Sequence, residues 1–330
     1  MRAVLMTAAG GPECLAPAEL PLPEPGPGQI RVQVRAAGVN PVDAKIRARG
    51  PFFEDALPMV PGLDGAGVVD ALGPGVTDWQ PGDEVWYCNG GLGREPGNYA
   101  EYSLVDARVA RRKPAALTFE QAAAAPLVLI TAWEALYDRG GLEAGQRVLI
   151  HGGAGGVGHV AVQLARLRGA RVCATAGGAD HGAFVYGLGA ERVIDHQQED
   201  FVAAVLDWTA GQGVDLALDI QGGEVLQRTF AAMAHYGRLV TLLEPGPDIA
   251  WKAARNRNLC FGFELMLTPL LQDLPQARAH QGDILDQCGC WCDEGLLDIH
   301  VSQVLPLAEA RRAHELIEQG HTQGKIVLVP

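Results

Sequence analysis

Arg147-Val148-Leu149-Ile150-His151-Gly152-Gly153-Ala154-Gly155-Gly156-Val157-Gly158 is the stretch whose reading decides the fold of this chain. Four residues of strand character run into a glycine cluster in which Gly153, Gly155 and Gly158 satisfy G-x-G-x-x-G. Behind the cluster, Val157, Val160, Ala161, Leu164 and Leu167 recur at helical spacing. A strand, a glycine turn and a helix in that order aim backbone N–H groups and the positive end of a helix dipole at a pyrophosphate. Each glycine meets a separate steric demand, one for a tight turn, one for close approach to phosphate, and one for close packing of helix on strand. A glycine turn without a ligand is the bland alternative, and what surrounds it argues for the dinucleotide site.

Working outward, brief Val/Leu/Ile runs alternate with helix-compatible segments, the signature of repeated βα units around a parallel sheet. The expected strands are Arg147-Ile150, Arg171-Ala176, Arg192-Asp195, Val214-Ile220, Arg238-Leu243 and Leu259-Leu265. They complete a doubly wound, Rossmann-type six-stranded α/β sheet over residues 126–265. Residues 1–125 are rich in Gly and Pro and carry alternating segments such as Ile30-Arg31-Val32-Gln33-Val34-Arg35, so this region reads as mainly β. Past Leu265 a helical segment leads to Gly295, followed by Ile299-Val301, a helix over Leu307-Ile317 and a strand over Ile326-Val329. A completed sheet has no place for them. Residues 266–330 are therefore assigned back to the first domain, which makes it discontinuous.

Composition narrows the partners. The 330 residues carry 26 Lys plus Arg against 39 Asp plus Glu, a formal charge of -13 that repels nucleic acid and anionic lipid. No apolar run reaches the roughly 20 residues a spanning helix needs, so no membrane partner is expected. Seven Cys, an odd number in a long chain, fit a reducing compartment, and the expected location is cytoplasmic.

The second strand selects the cofactor. A carboxylate at its end accepts from the ribose hydroxyls of NAD and repels the extra phosphate of NADP. Here the strand exits through Ala176-Gly177-Gly178, with no carboxylate until Asp180 and His181 next to it. NADP(H) is the expected cofactor, with Gly177, His181 and, after the third strand, His196 beside the extra phosphate. Either histidine alone also reads as a solvated loop residue.

Several stretches together resemble the medium-chain dehydrogenase/reductase superfamily, and within it the zinc-free quinone oxidoreductase, or ζ-crystallin-like, branch. They are Ala37-Gly38-Val39-Asn40-Pro41-Val42-Asp43, Pro61-Gly62-Leu63-Asp64-Gly65-Ala66-Gly67, Pro81-Gly82-Asp83-Glu84-Val85, Gly97-Asn98-Tyr99-Ala100-Glu101-Tyr102, the glycine loop, and Gly324-Lys325-Ile326-Val327-Leu328. The resemblance runs the whole length and implies a GroES-like catalytic domain beside the Rossmann domain. Zinc-dependent relatives place a Cys ligand where this chain has Asn40 and a Gly-His-Glu where it has Gly62-Leu63-Asp64. An amide and a leucine cannot replace a thiolate and an imidazole, so no metal is expected. Cys288, Cys290 and Cys292 have the wrong spacing for common zinc knuckles and read as ordinary thiols.

Without a Lewis acid the substrate must accept hydride readily, which points to a quinone or an α,β-unsaturated carbonyl. The resemblance places Asn40, Asp43 and Thr131 around nicotinamide and substrate, with Asn40 as the donor to the substrate oxygen. Lys45 and the pair Phe52-Phe53 stand where relatives often carry Tyr; Lys45 either stabilises an enolate or is a solvated lysine. The implied cofactor contacts are Gly153, Ala154, Gly155, Gly156, Val157 and Gly158 of the loop, then Gln221, Phe261, Gly262, Phe263 and Lys325. Phe261 and Phe263 read equally well as alternating strand packing. Strand Leu259-Leu265, at the sheet edge, is the expected homodimer seam. An enoyl-thioester reductase and a non-catalytic NADPH-binding sensor or crystallin-like protein remain as alternatives.

Overall fold

The computed structural model describes residues 1–53 and 55–330. It comprises two compact units, Met1–Val128 with Leu267–Pro330, and Leu129–Met266. In chain order the first unit opens with β1 (Arg2–Met6), β2 (Leu15–Glu19), β3 (Gln29–Val39), α1 (Pro41–Arg49) and β4 (Asp64–Leu72). It continues through β5 (Glu84–Cys88), β6 (Tyr102–Asp106), β7 (Arg111–Arg112) and α2 (Phe119–Ala124), and the boundary falls within α3 (Pro126–Trp133). The second unit holds β8 (Arg147–Ile150), α4 (Gly156–Leu167), β9 (Arg171–Ala176), α5 (Ala179–Gly187), β10 (Arg192–Asp195) and α6 (Phe201–Trp208). It ends with β11 (Val214–Asp219), α7 (Gly223–Ala232), β12 (Met233–Thr241), α8 (Lys252–Asn256) and β13 (Cys260–Phe263). The chain then returns to the first unit as α9 (Thr268–Leu271), α10 (Pro275–Asp293), β14 (Val301–Pro306), α11 (Ala310–Gln319) and β15 (Lys325–Val329).

The second unit is the expected doubly wound sheet. Its strand order is β10-β9-β8-β11-β12-β13, all parallel, so the order reverses between β8 and β9 on one side and β11 on the other. Ligands of such sheets bind outside the carboxyl ends of the strands at that reversal. The core on one face joins Leu149, Cys173, Ala217 and Leu239 of the sheet to Phe201, Val205, Leu226 and Phe230 of α6 and α7.

Three expected strands have different ends. β11 stops at Asp219 instead of Ile220 because its carboxylate takes the N–H groups of Gln221 and Gly222 and turns the chain. The expected Arg238-Leu243 strand begins earlier, at Met233, and ends at Thr241. β13 is shorter than Leu259-Leu265 because its pairing partner runs out at the Thr241–Phe263 register.

In the first unit, six strands run β14-β15-β3-β4-β5-β7, with β6 also on β3. Ile30, Val32 and Val34 of β3 are buried in alternation, as its sequence pattern requires, but the run from Ala36 to Val39 is buried continuously. There α2 covers the strand so closely that a Cβ on Gly38 would stand 2.3 Å from the Ala123 carbonyl oxygen. The expected strand Ile299-Val301 lies further along, at Val301–Pro306, where β15 supplies parallel partners from Lys325 to Val329. The helix expected from Leu307 starts at Ala310, after a single 3-10 turn over Leu307–Glu309. This unit is discontinuous and mainly β.

Candidate active site

The glycine loop has the cradle that a dinucleotide needs. A Cβ on Gly158 would lie 2.0 Å from the Gly152 carbonyl oxygen, and one on Gly153 would lie 2.9 Å from Ala174 Cβ and 3.1 Å from Val185 Cγ1. Gly152 has φ +62, a conformation that favours glycine. Gly155 is the N-cap of α4 with no side-chain cap, and the first turn carries no acidic residue. The opening N–H groups of a helix have no partner within it, and Gly155, Gly156 and Val157 are partly exposed, so a phosphate can accept from that end. Ala154 is buried.

Side chains around the loop hold it in shape. Gly152 N–H donates to Thr175 Oγ1 at 2.9 Å, and Gly153 N–H to the Thr175 carbonyl at 2.8 Å. The His151 ring lies 2.8 Å from Thr229 Oγ1, and burial depresses its pKa to about 4, which keeps it neutral. Asp219 accepts from Gln221 N–H, Gly222 N–H and the Thr241 hydroxyl. That loop sets Gln221 Nε2 2.9 Å from where a Gly152 Cβ would be, so Gln221 and the glycine loop do meet.

At the exit of β9, the side chains of His196 and Gln197 both flank Gly177: their Nε2 atoms lie 3.1 and 3.2 Å from its Cβ position. The Asp195 carboxylate, which sequence reasoning did not single out, accepts from Gly178 N–H at 3.2 Å and Gln197 N–H at 3.0 Å. His181 lies in the first turn of α5. Phe261 packs edge-on against Trp251 and Phe263, three strands from β8, roughly 14 Å at ordinary strand spacing. Phe263 itself is exposed. Thr131 is buried in α3.

The first unit holds a buried polar cluster where β3 gives way to α1. Asn40, the N-cap of α1, is fully buried, and its N–H donates to Asp43 Oδ2 at 2.8 Å. Its Nδ2 donates to Asp64 Oδ2 at 2.9 Å, and its Oδ1 accepts from Lys325 Nζ. Lys325 is also buried, 3.8 Å from Asp64 Oδ2, and the other oxygen of Asp64 accepts from Leu127 N–H at 2.9 Å. Burial raises the Asp64 and Asp43 pKa values, Asp43 to about 7, and lowers that of Lys325; the ammonium opposes the carboxylate shifts, and the carboxylates oppose its own. Cys88 joins the cluster against Asp64, its thiol held protonated by burial. Lys45, by contrast, is exposed on α1, its pKa lowered by partial desolvation and by Arg49.

Behind Asp43, the Tyr99 hydroxyl lies 3.4 Å from Asp43 Oδ2 and 3.2 Å from His314 Nε2. Burial depresses His314 to about 3, so it is neutral. Sequence reasoning did not single out Tyr99 or His314 either. The signal for His314 was present: it falls four residues after buried Ala310 on the inward face of α11.

A catalytic zinc ion does not fit this donor set. Leu63 is a fully buried aliphatic side chain, and the Asn40 oxygen is committed to a resident ammonium. Cys288 and Cys292 are buried in α10 while Cys290 is exposed, so the three thiols do not converge. Among the described residues no group of three or more His, Cys, Asp or Glu is arranged to hold a metal ion.

Residues 26–115 match the family described as the alcohol dehydrogenase GroES-like domain, and residues 188–328 the family described as zinc-binding dehydrogenase. The quinone oxidoreductase of Homo sapiens is 32% identical over 338 residues, covering 100% of this chain and 98% of its own. A solved NAD-dependent alcohol dehydrogenase is 34% identical with a TM-score of 0.90, covering 100% of both chains. Escherichia coli quinone oxidoreductase, solved in complex with NADPH, is 28% identical with a TM-score of 0.89, again over 100% of both chains. Full-length similarity, the Rossmann sheet with its glycine cradle and the GroES-like unit place the chain in the medium-chain dehydrogenase/reductase superfamily of oxidoreductases, with quinone oxidoreductases among its homologues.

Proposed function

We propose that the chain is a zinc-independent, NADPH-dependent reductase of quinones or α,β-unsaturated carbonyls. Residues 126–265 bind the dinucleotide, and residues 1–125 with 266–330 carry the substrate chemistry. The observation that carries this reading is the Asn40 carboxamide held between the Lys325 ammonium and the Asp64 carboxylate, at the position where metal-dependent relatives keep a thiolate.

The bound dinucleotide supplies a hydride. The chain must then stabilise negative charge growing on the substrate oxygen. An amide nitrogen has two protons, and Asp64 takes one, so the other Asn40 proton is the donor. Lys45 adds positive charge from the exposed side of α1, Asp43 fixes the Asn40 backbone, and the Thr131 hydroxyl orients the carboxamide of the cofactor. One hydride and one proton added to a quinone give the hydroquinone; an enone takes the hydride at its β-carbon and the proton at its α-carbon. An unactivated ketone lacks that electron demand and reacts poorly.

The first turn of α4, from Gly155 through Gly158, holds the pyrophosphate, with Gln221 against the same loop. His196, Gln197 and His181 receive the extra phosphate of NADPH beside Gly177, while Asp195 works against it. The exposed edge of β13, with Phe263 and Leu265 uncovered, supports pairing of two copies there. Seven unpaired cysteines support a reducing, cytoplasmic setting. Among the described residues no helix is long and apolar enough to cross a membrane.

The test is oxidation of NADPH and of NADH by purified protein with 1,2-naphthoquinone, with a simple enone, and with a primary alcohol in the reverse direction. The expected result is NADPH oxidation with quinone or enone and no alcohol oxidation. Tight NADPH binding without turnover would overturn the reductase reading in favour of a sensor, and a clear preference for NADH would overturn the phosphate assignment.

A further inference from the structure

Lys325 was expected at the cofactor, and its side chain is buried and donates to Asn40. Gly324, at φ +62 and so close to His300 that a Cβ would lie 2.3 Å from its carbonyl oxygen, turns the chain into β15. β15 pairs with β3 through Ile326 and Val39, which brings Lys325 beside Asn40 across 285 residues of sequence. The ammonium has three protons and no lone pair; an ionised Asp64 has lone pairs and no proton. A carboxamide between them is stable in one orientation only, oxygen toward Lys325 and nitrogen toward Asp64. A flip would set NH₂ against NH₃⁺ and oxygen against carboxylate. The same polarity draws electron density toward Oδ1 and makes the remaining Nδ2 proton a stronger donor.

We propose that Lys325 is a positioning residue for Asn40, clamping the carboxamide in the orientation and polarity that its donor role requires. The inference rests on the reading of Asn40 as donor. The groups facing the ammonium are Asn40 and Asp43 at the start of α1, Asp64 from β4 and Cys88 from β5. Tyr99 and His314 from α11 stand behind Asp43.

The experiment compares Lys325→Met, Lys325→Arg, Asn40→Ala and the double variant Asn40→Ala/Lys325→Met in steady-state reduction of 1,2-naphthoquinone by NADPH. Lys325→Met is expected to lower kcat about 30-fold with KM for NADPH within about twofold, and Lys325→Arg to recover kcat to within about threefold. The double variant is expected to be no slower than Asn40→Ala alone, because both changes break one unit. Wild-type kcat should fall on the alkaline side as Lys325 loses its proton, and Lys325→Arg should hold its plateau there. A raised KM for NADPH with kcat retained in Lys325→Met would overturn the inference and return Lys325 to the cofactor; so would multiplicative losses in the double variant. If Asn40→Ala keeps full kcat, the donor reading falls and the clamp with it. If only Lys325→Met is silent, the clamp alone falls. Should Lys325→Met lack a cooperative thermal transition, Lys325→Gln and the pH profile of Lys325→Arg decide: an alkaline limb that Arg leaves in place overturns the clamp.

Discussion

Gly158→Ala tests the packing of the dinucleotide loop most directly. The added methyl carbon would lie 2.0 Å from the Gly152 carbonyl oxygen, 2.8 Å from the Gly152 carbonyl carbon and 2.8 Å from Gly153 Cα. All three are backbone atoms, and ordinary contact needs about 3.5 Å or more, so loop and helix must part by more than about 1 Å. Overpacking of this kind costs up to about 3 kcal/mol. Gly158 lies in the first turn of α4, where alanine offsets at most about 1 kcal/mol through its better helix propensity. The net is a destabilisation of about 2 kcal/mol, a fall in Tm of about 6 °C for a unit of this size. A displaced loop also loses at least one phosphate hydrogen bond, about tenfold in affinity. The control is Gly155→Ala: φ is −77, and the only neighbour of its Cβ is the Gly152 oxygen at an ordinary 3.4 Å. It should melt only about 2 °C below wild type, reflecting the weaker N-cap preference of alanine, yet bind NADPH at least about tenfold more weakly, because the methyl occupies the phosphate approach. Scanning calorimetry and a fluorescence titration with NADPH read the two quantities separately. An unchanged Tm in Gly158→Ala refutes the packing argument, and unchanged NADPH affinity in Gly155→Ala refutes the phosphate site.

Burial lifts Asp43 to about 7 from an ordinary value near 3.8, so the folded state favours the neutral carboxyl; the stabilisation is full below the ordinary value and is lost as pH rises through about 7. Asp43→Asn should therefore raise Tm by several degrees at about pH 8.5 and change it little at about pH 4, as thermal melts at both pH values would show; destabilisation at the higher pH would contradict the assignment. His196→Ala should weaken NADPH binding about fivefold and leave NADH binding unchanged, since one donor to a phosphate is removed; equal losses for the two cofactors in parallel titrations would place the imidazole elsewhere. Phe263→Glu combined with Leu265→Glu puts charge on the open edge of β13 and should halve the mass seen by light scattering, with the circular dichroism spectrum retained; a dimer that survives puts the seam on another surface.

Much of the second unit is legible in one dimension because its signals are local. Arg147–Ile150, Arg171–Ala176 and Arg192–Asp195 are short apolar runs bounded by glycine or charge, and these strands end where those boundaries fall. The ends of β11, β12 and β13 are not local. They depend on the Asp219 carboxylate capturing two loop N–H groups and on where the neighbouring strand stops offering partners. Gln197 and Asp195 escape a one-dimensional reading for a similar reason: their relation to Gly177 and Gly178 runs across two strands.

By itself, the order of residues determined the βα periodicity, the glycine cradle and the presence of an amide at Asn40 and an aliphatic side chain at Leu63, since each depends on side-chain type or on spacing within a single element. Only tertiary structure decided what the remaining polar groups do. The bonds from Lys325 to Asn40 and from Tyr99 to His314 span 285 and 215 residues. No periodicity encodes them. They exist because β15 closes against β3 and α11 packs beneath α1, and a buried ammonium or imidazole must then find its partner among the groups that those contacts bring near.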